Sequence, residues 1–125
     1  MGRVRPSVRQ VLVVDDDASI RDLLEEELRT RGYSVILAHN GSEALRRLES
    51  ATPDAIVLDL MMPVMDGWSF VAQYRGGVGE RPIPIIAVSA EGEPMADYEQ
   101  LGVRAFFRKP FELADLTNCI ADLTR

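Results

Sequence analysis

The sequence predicts an α/β domain in which helices cover both faces of a parallel sheet. Three observations carry the prediction. Five short runs, residues 11–14, 33–38, 55–58, 83–88 and 105–107, are apolar with little polar alternation, the pattern of strands buried on both faces. Helically spaced stretches follow each run, and such alternation implies right-handed βαβ crossovers. Polar residues stand at the ends of four runs, where open parallel sheets bind their ligands.

The first run, VLVV (11–14), ends in Asp15-Asp16-Asp17. Asp17 or Ser19 can cap the helix that follows, and acids there suit the positive end of its dipole. In that helix Ile20, Leu23, Leu24 and Leu28 are expected to face inward, with Arg21, Asp22, Glu25, Glu26 and Arg29 in water. Gly32 closes it in the C′ role. YSVILA (33–38) is the second strand. Gly41-Ser42 opens a short helix with Ala44, Leu45 and Leu48 inward, and 51–54 is the loop into the central strand.

That strand, AIVL (55–58), ends at Asp59. Pro63 stops it, and Asp66-Gly67 turns the chain into a helix over 68–74 with Phe70 and Val71 buried. Residues 76–79 are a glycine-rich connection. The strand over 83–88 tolerates Pro84 only near its start and leads to Ser89-Ala90. A helix starts at Glu93-Pro94 and closes at Gly102. Residues 105–107 are the last strand, running into Arg108-Lys109-Pro110, and 113–123 is the last helix.

At 125 residues the chain is one domain of ordinary size, able to bury a real core. Residues 1–10 read as a flexible leader and 11–125 as the folded unit. Arg3, Arg5 and Arg9 make the leader basic, as a frayed terminus rather than a binding arm. The net charge of −6 argues against a nucleic-acid surface, which needs clustered Lys and Arg. No apolar run approaches membrane-spanning length, and residues 1–10 have no hydrophobic h-region. Cys119, the single cysteine, fits a helical pattern with Leu116, Ile120 and Leu123 as a buried structural thiol. The cytoplasm is the expected compartment.

Asp59 taken alone reads equally as a reactive carboxylate or as an acid capping its loop. Asp15/Asp16, Ser89 and Lys109 likewise have bland readings one by one. Their joint placement on one rim does not. Two carboxylates about 4 Å apart repel by roughly 4 kcal/mol at an effective dielectric of about 20. A cluster of three calls for a proton or a cation. Oxygen ligands without His or Cys favour Mg²⁺ or Mn²⁺ over zinc. A metal, an ammonium and a hydroxyl converging beside a carboxylate suit phosphoryl transfer, with the carboxylate as nucleophile.

With VLVVDDD (11–17), VLDLMMPVMDG (57–67), AVSA (87–90) and FFRKPF (106–111), the sequence resembles a two-component response regulator receiver domain over residues 11–123. The resemblance implies a flavodoxin-like (βα)5 fold with strand order 2-1-3-4-5. It implies Asp59 as phosphoacceptor from a histidine kinase or phosphotransfer protein, in a Mg²⁺-dependent reaction. Asp16 would be a direct metal ligand, Asp15 a ligand largely through water, and the Met61 backbone carbonyl would complete the set. Ser89 and Lys109 would each meet a phosphoryl oxygen, and a cis Lys109-Pro110 bond would aim the lysine inward. Phe106 matches the switch aromatic whose rotamer follows Ser89. The Met61 side chain and Glu91 occupy positions that tune acyl-phosphate lifetime.

Output is then expected from the face of the fourth helix, fifth strand and fifth helix, toward a downstream protein target. Met95, Tyr98, Arg108 and Asn118 are its candidates. No matched acidic and basic set spans 95–101 and 113–123, which weakens the dimerisation mode of DNA-binding members. Trp68 reads as packed or partly exposed, and His39 receives no catalytic role. A stand-alone receiver is the first reading, and one excised from a longer regulator or hybrid kinase the second. A Mg²⁺-dependent aspartate-nucleophile phosphatase is the rival from another class, but it would need a D-x-D arrangement on the first strand and a cap. A pseudo-receiver that binds without phosphorylation is the remaining alternative.

Overall fold

The computed structural model describes residues 8–62, 65–76, 83–90 and 102–125. The strands are β1 (Gln10–Val14), β2 (Ser34–Ala38), β3 (Ala55–Asp59), β4 (Ile85–Ser89) and β5 (Val103–Arg108). The described helices are α1 (Ala18–Thr30), α2 (Gly41–Arg47), α3 (Gly67–Gly76) and α4 (Leu113–Leu123). All pairings are parallel and the order is β2-β1-β3-β4-β5, as the resemblance implied. The helix expected from Glu93 to Gly102, Pro63, Glu91, Met95, Tyr98, the packing of Trp68 and most of the leader lie outside the described residues.

Alternation along the strands divides the core into two layers. Leu12, Val14, Ile56, Leu58, Ile85 and Ala87 face α2 and α3, meeting Ala44, Phe70 and Val71. Val11, Val13, Val57, Ile86 and Val88 face the other way, against Leu24 and Leu28 of α1 and Leu116 and Ile120 of α4. β3 and β4 are buried along their whole length, which explains why their sequences carry no polar alternation.

Several element boundaries differ from expectation. β1 begins at Gln10, whose N–H donates to the Asp54 carboxylate at 2.8 Å, and the Arg9 carbonyl already accepts from Ser34 N–H at 2.8 Å. β4 begins at Ile85 rather than Ile83, because Pro84 has no N–H for the ladder. Its carbonyl nonetheless accepts from Ile56 at 3.0 Å. α2 opens at Gly41 as expected, and Asn40 caps it, accepting from Glu43 N–H at 2.8 Å. In α1, Asp17 rather than Ser19 is the N-cap, and Gly32 follows the helix with φ of 96°, as predicted. Leu23 is 47% exposed rather than inward. The buried stripe runs through residues 20, 24 and 28, and Leu23 lies roughly 100° around the helix from its centre.

β2 is an edge strand, and its outward carbonyls are covered. Ser34 and Ala38 turn their backbone bonds toward β1, through Arg9 and Asp15, so Val35 and Leu37 point away. Arg29 of α1 reaches the Val35 carbonyl at 3.4 Å, and Arg47 of α2 reaches the Leu37 carbonyl at 3.1 Å. Each guanidinium also meets an acid four residues earlier, Glu25 at 3.0 Å and Glu43 at 3.6 Å. On the opposite edge, Arg104 is the extra residue where the β4–β5 register shifts, since Ile85 faces Val103 and Ile86 faces Ala105.

Candidate functional site

Parallel register brings the carboxyl ends of β1, β3, β4 and β5 to one rim. Asp15 follows the last residue of β1 and is 1% exposed; Asp59 closes β3 and is 3% exposed; Ser89 closes β4 and is 2% exposed. Asp16 is exposed beside them. One carboxylate oxygen from each of Asp15, Asp16 and Asp59 falls within a cluster 4.8 Å across. Lys109, just after β5, extends its ammonium to Asp15 at 3.0 Å and to Asp59 at 3.5 Å. The Lys109-Pro110 peptide is cis, as the resemblance implied.

Asp15 is held at four points. Its N–H donates to the Ala38 carbonyl at 3.1 Å, and one carboxylate oxygen accepts from Asp17 N–H at 2.9 Å. The other oxygen takes the Lys109 ammonium, and its carbonyl accepts from Arg21 Nη1 at 2.7 Å. Asp59 accepts from Met61 N–H at 3.0 Å, while the Met61 side chain is 56% exposed. Ser89 is tied to the β5 end through its carbonyl, which accepts from Lys109 N–H at 2.9 Å. Phe106 is partly buried and packs on the α2–α3 layer, opposite Ala87 in register. Among the described residues every buried side-chain polar atom has a hydrogen-bond partner.

Burial pushes the Asp59 carboxyl up from its ordinary 3.8 to about 6. The Met61 N–H and Lys109 hold it down, whereas the Asp15 charge and a hydrogen bond with the Asp16 carboxyl push it further up. Lys109 is raised above the usual lysine value: burial works against its charge, but Asp15 and Asp59 outweigh burial. One ammonium thus serves two buried carboxylates and sits nearer Asp15, leaving Asp59 under-neutralised. Three acids against one lysine leave local negative charge, and an all-oxygen donor set suits a hard divalent cation.

The sequence profile of the response regulator receiver domain matches residues 11–121. The chain belongs to this family. Response regulator MprA of Mycobacterium tuberculosis is 44% identical over 111 residues, 88% of this chain and 47% of MprA. The chain therefore spans about half the length of the curated relatives it matches. Among solved structures, chemotaxis protein CheY4 of Vibrio cholerae aligns with a TM-score of 0.84 at 32% identity, covering 94% of this chain and 99% of that one. The receiver domain of sensor histidine kinase PA1611 from Pseudomonas aeruginosa PAO1 aligns at 0.81 and 32% identity, covering 94% and 98%. It was crystallised with magnesium coordinated in its active-site cleft. Receiver domains as a class interact with histidine kinases and downstream effectors. Family membership sets the aspartate-nucleophile phosphatase aside.

Two residues of this receiver domain escape a reading of the sequence. Arg21, expected in water, is half-buried and bonded to Asp15. A signal existed: a cation one turn into a helix sits at the wrong end of the dipole and needs a compensating acceptor. Gly67 reads as a turn residue, but its constraint is a close approach. A Cβ there would lie 2.7 Å from Leu60 Cα and 2.9 Å from the Asp59 carbonyl oxygen. His39 is exposed, pairs with Glu43 at 2.6 Å, and takes no part in the cluster. Arg108 and Asn118 are exposed. Among the described residues no helix is long and apolar enough to cross a membrane.

Proposed function

We propose that this receiver domain is a phosphoryl-accepting switch, with Asp59 taking the group from a histidine kinase or a phosphotransfer protein in the cytoplasm. The reading rests on one observation above the others: a buried carboxylate, under-neutralised by the lysine beside it, stands among further acidic oxygens at the sheet rim. Asp15, Asp16 and Asp59, with the Met61 carbonyl, would hold Mg²⁺, or Mn²⁺ in its place. When bound, the ion supplies positive charge for the oxygens of the transferring group.

An Asp59 carboxylate oxygen attacks phosphorus as the P–N bond of the phosphohistidine donor breaks. The imidazole keeps that electron pair and takes up a proton, and an acyl phosphate remains on Asp59. Near pH 7 the nucleophile is ionised despite its raised pKa, which is about 6. Lys109 transfers part of its attraction from the Asp15 and Asp59 carboxylates to a phosphoryl oxygen, and the Ser89 hydroxyl donates to another. Closure of Ser89 frees space into which Phe106 repacks. That biases the face of β5 and α4 toward a downstream protein target.

The test is acetyl phosphate with Mg²⁺, read by intact mass on wild type and Asp59→Asn. A single phosphoryl adduct on wild type alone is the expected result. An adduct on both proteins would move the acceptor elsewhere, and none on either would indicate a pseudo-receiver.

A further inference from the structure

The acidic rim is built on a turn that has every electrostatic reason to open: Asp15, Asp16 and Asp17 are consecutive, and Asp59 faces them. The Asp15 side chain is held by Lys109 and by Asp17 N–H, which closes the turn from the carboxylate side. The carbonyl of Asp15, which opens the peptide leading to Asp16, has a single described donor: Nη1 of Arg21 at 2.7 Å. Arg21 is anchored in turn by its helix, its N–H donating to the Asp17 carbonyl at 3.0 Å. The side chain therefore crosses from the first turns of α1 to the peptide on which the exposed Asp16 carboxylate hangs.

We propose that Arg21 is a positioning residue for the divalent-cation site, acting through the Asp15–Asp16 peptide rather than through contact with the ion. This rests on the reading of Asp15, Asp16 and Asp59 as the cation's ligands. Charge alone predicts the opposite behaviour. A guanidinium beside the cluster disfavours a second cation, so removing it would tighten Mg²⁺ binding if its charge were all that mattered. If Arg21 holds the turn, removing it loosens a ligand and weakens binding. The sign of the change separates the two.

The experiment titrates Mg²⁺ into the unphosphorylated full chain by calorimetry, for wild type, Arg21→Ala and Arg21→Lys. Amide spectra follow Asp17, whose N–H reports on the Asp15 carboxylate. Arg21→Ala should weaken Mg²⁺ binding about tenfold, the scale of losing a group that orients a ligand. The Asp17 amide should shift toward its unbonded position before any Mg²⁺ is added. Arg21→Lys, which keeps a donor, should recover most of the affinity. Should Arg21→Ala fail to fold, as judged by unfolding in EDTA, Arg21→Gln carries the same comparison. Unchanged or tighter binding by a folded variant overturns the inference and leaves the functional reading intact. Failure of wild type to bind Mg²⁺ overturns both.

Discussion

Asp59→Asn should stabilise the cation-free protein at neutral pH, although it removes half of an ion pair. The reason is the raised pKa of Asp59, about 6 against an ordinary 3.8. A carboxyl whose folded value lies above its unfolded value contributes most when neutral, below about pH 4. Its contribution is lost as pH rises from there through about 6 and stays lost above. Each pKa unit corresponds to about 1.4 kcal/mol, so ionising Asp59 in the folded state costs up to about 3 kcal/mol. Asparagine keeps an acceptor for Met61 N–H and adds no charge, but it gives up the 3.5 Å contact with Lys109. Lys109 retains Asp15 at 3.0 Å. A net gain of about 1–2 kcal/mol is expected at pH 7.5. At pH 4 the gain should fall to near zero. Urea unfolding followed by circular dichroism in EDTA measures both. Excess Mg²⁺ should then stabilise wild type and not the variant, narrowing or reversing the order at pH 7.5. A variant less stable than wild type at pH 7.5, or a difference that does not change between pH 4 and 7.5, would refute the reasoning.

Two more outcomes follow from the packing. Gly67→Ala puts a methyl group 2.7 Å from Leu60 Cα, a backbone atom that cannot swing aside. It should cost about 1–3 kcal/mol in urea unfolding and slow phosphorylation by acetyl phosphate, because the strain lands on the residues just after Asp59. Gly41→Ala is the control, since the nearest atoms to its Cβ belong to the flexible Met65 side chain, at 3.0 Å, rather than to backbone. Burial and the Asp122 charge hold the Cys119 thiol above its ordinary 9.0. Labelling by a disulfide reagent at pH 7.5 should therefore be slow in the native protein and fast in urea; equal rates would contradict its packing against the α1–α4 layer.

The fold was legible because its strands are buried on both sides. VLVV, AIVL and the run into Ser89 have no polar face to confuse with a helix or a half-solvated strand. Four of the five strand ends then announce themselves as Asp15, Asp59, Ser89 and Lys109, which is why the rim could be assembled from spacing alone. What spacing does not carry is which groups touch. Lys109 sits nearer Asp15 than Asp59, and that asymmetry underlies the Asp59 shift. Leu23 has the right residue type for the core but the wrong azimuth, a distinction set by where the sheet meets α1. The place of Arg21 near the start of α1 signals that it needs an acceptor, but which acceptor is set only by the β1–α1 turn. Asn40 supplies the cap one residue before the Gly41 that opens α2, its side-chain oxygen taking the Glu43 N–H.

The two arginines that lean over β2 change how that side of the molecule should be regarded. Glu25–Arg29 and Glu43–Arg47 look like ordinary surface pairs along two helices, the sort that contribute little to stability and tolerate exchange. Each also closes an outward carbonyl of the same strand, one from above the sheet and one from below. An open row of such groups is a template on which another strand can grow. Substituting both arginines would scarcely alter how firmly one molecule holds together, yet it would uncover a place where two molecules can join. The cover on this sheet edge therefore rests on side chains that no tally of the protein's own stability would mark as important.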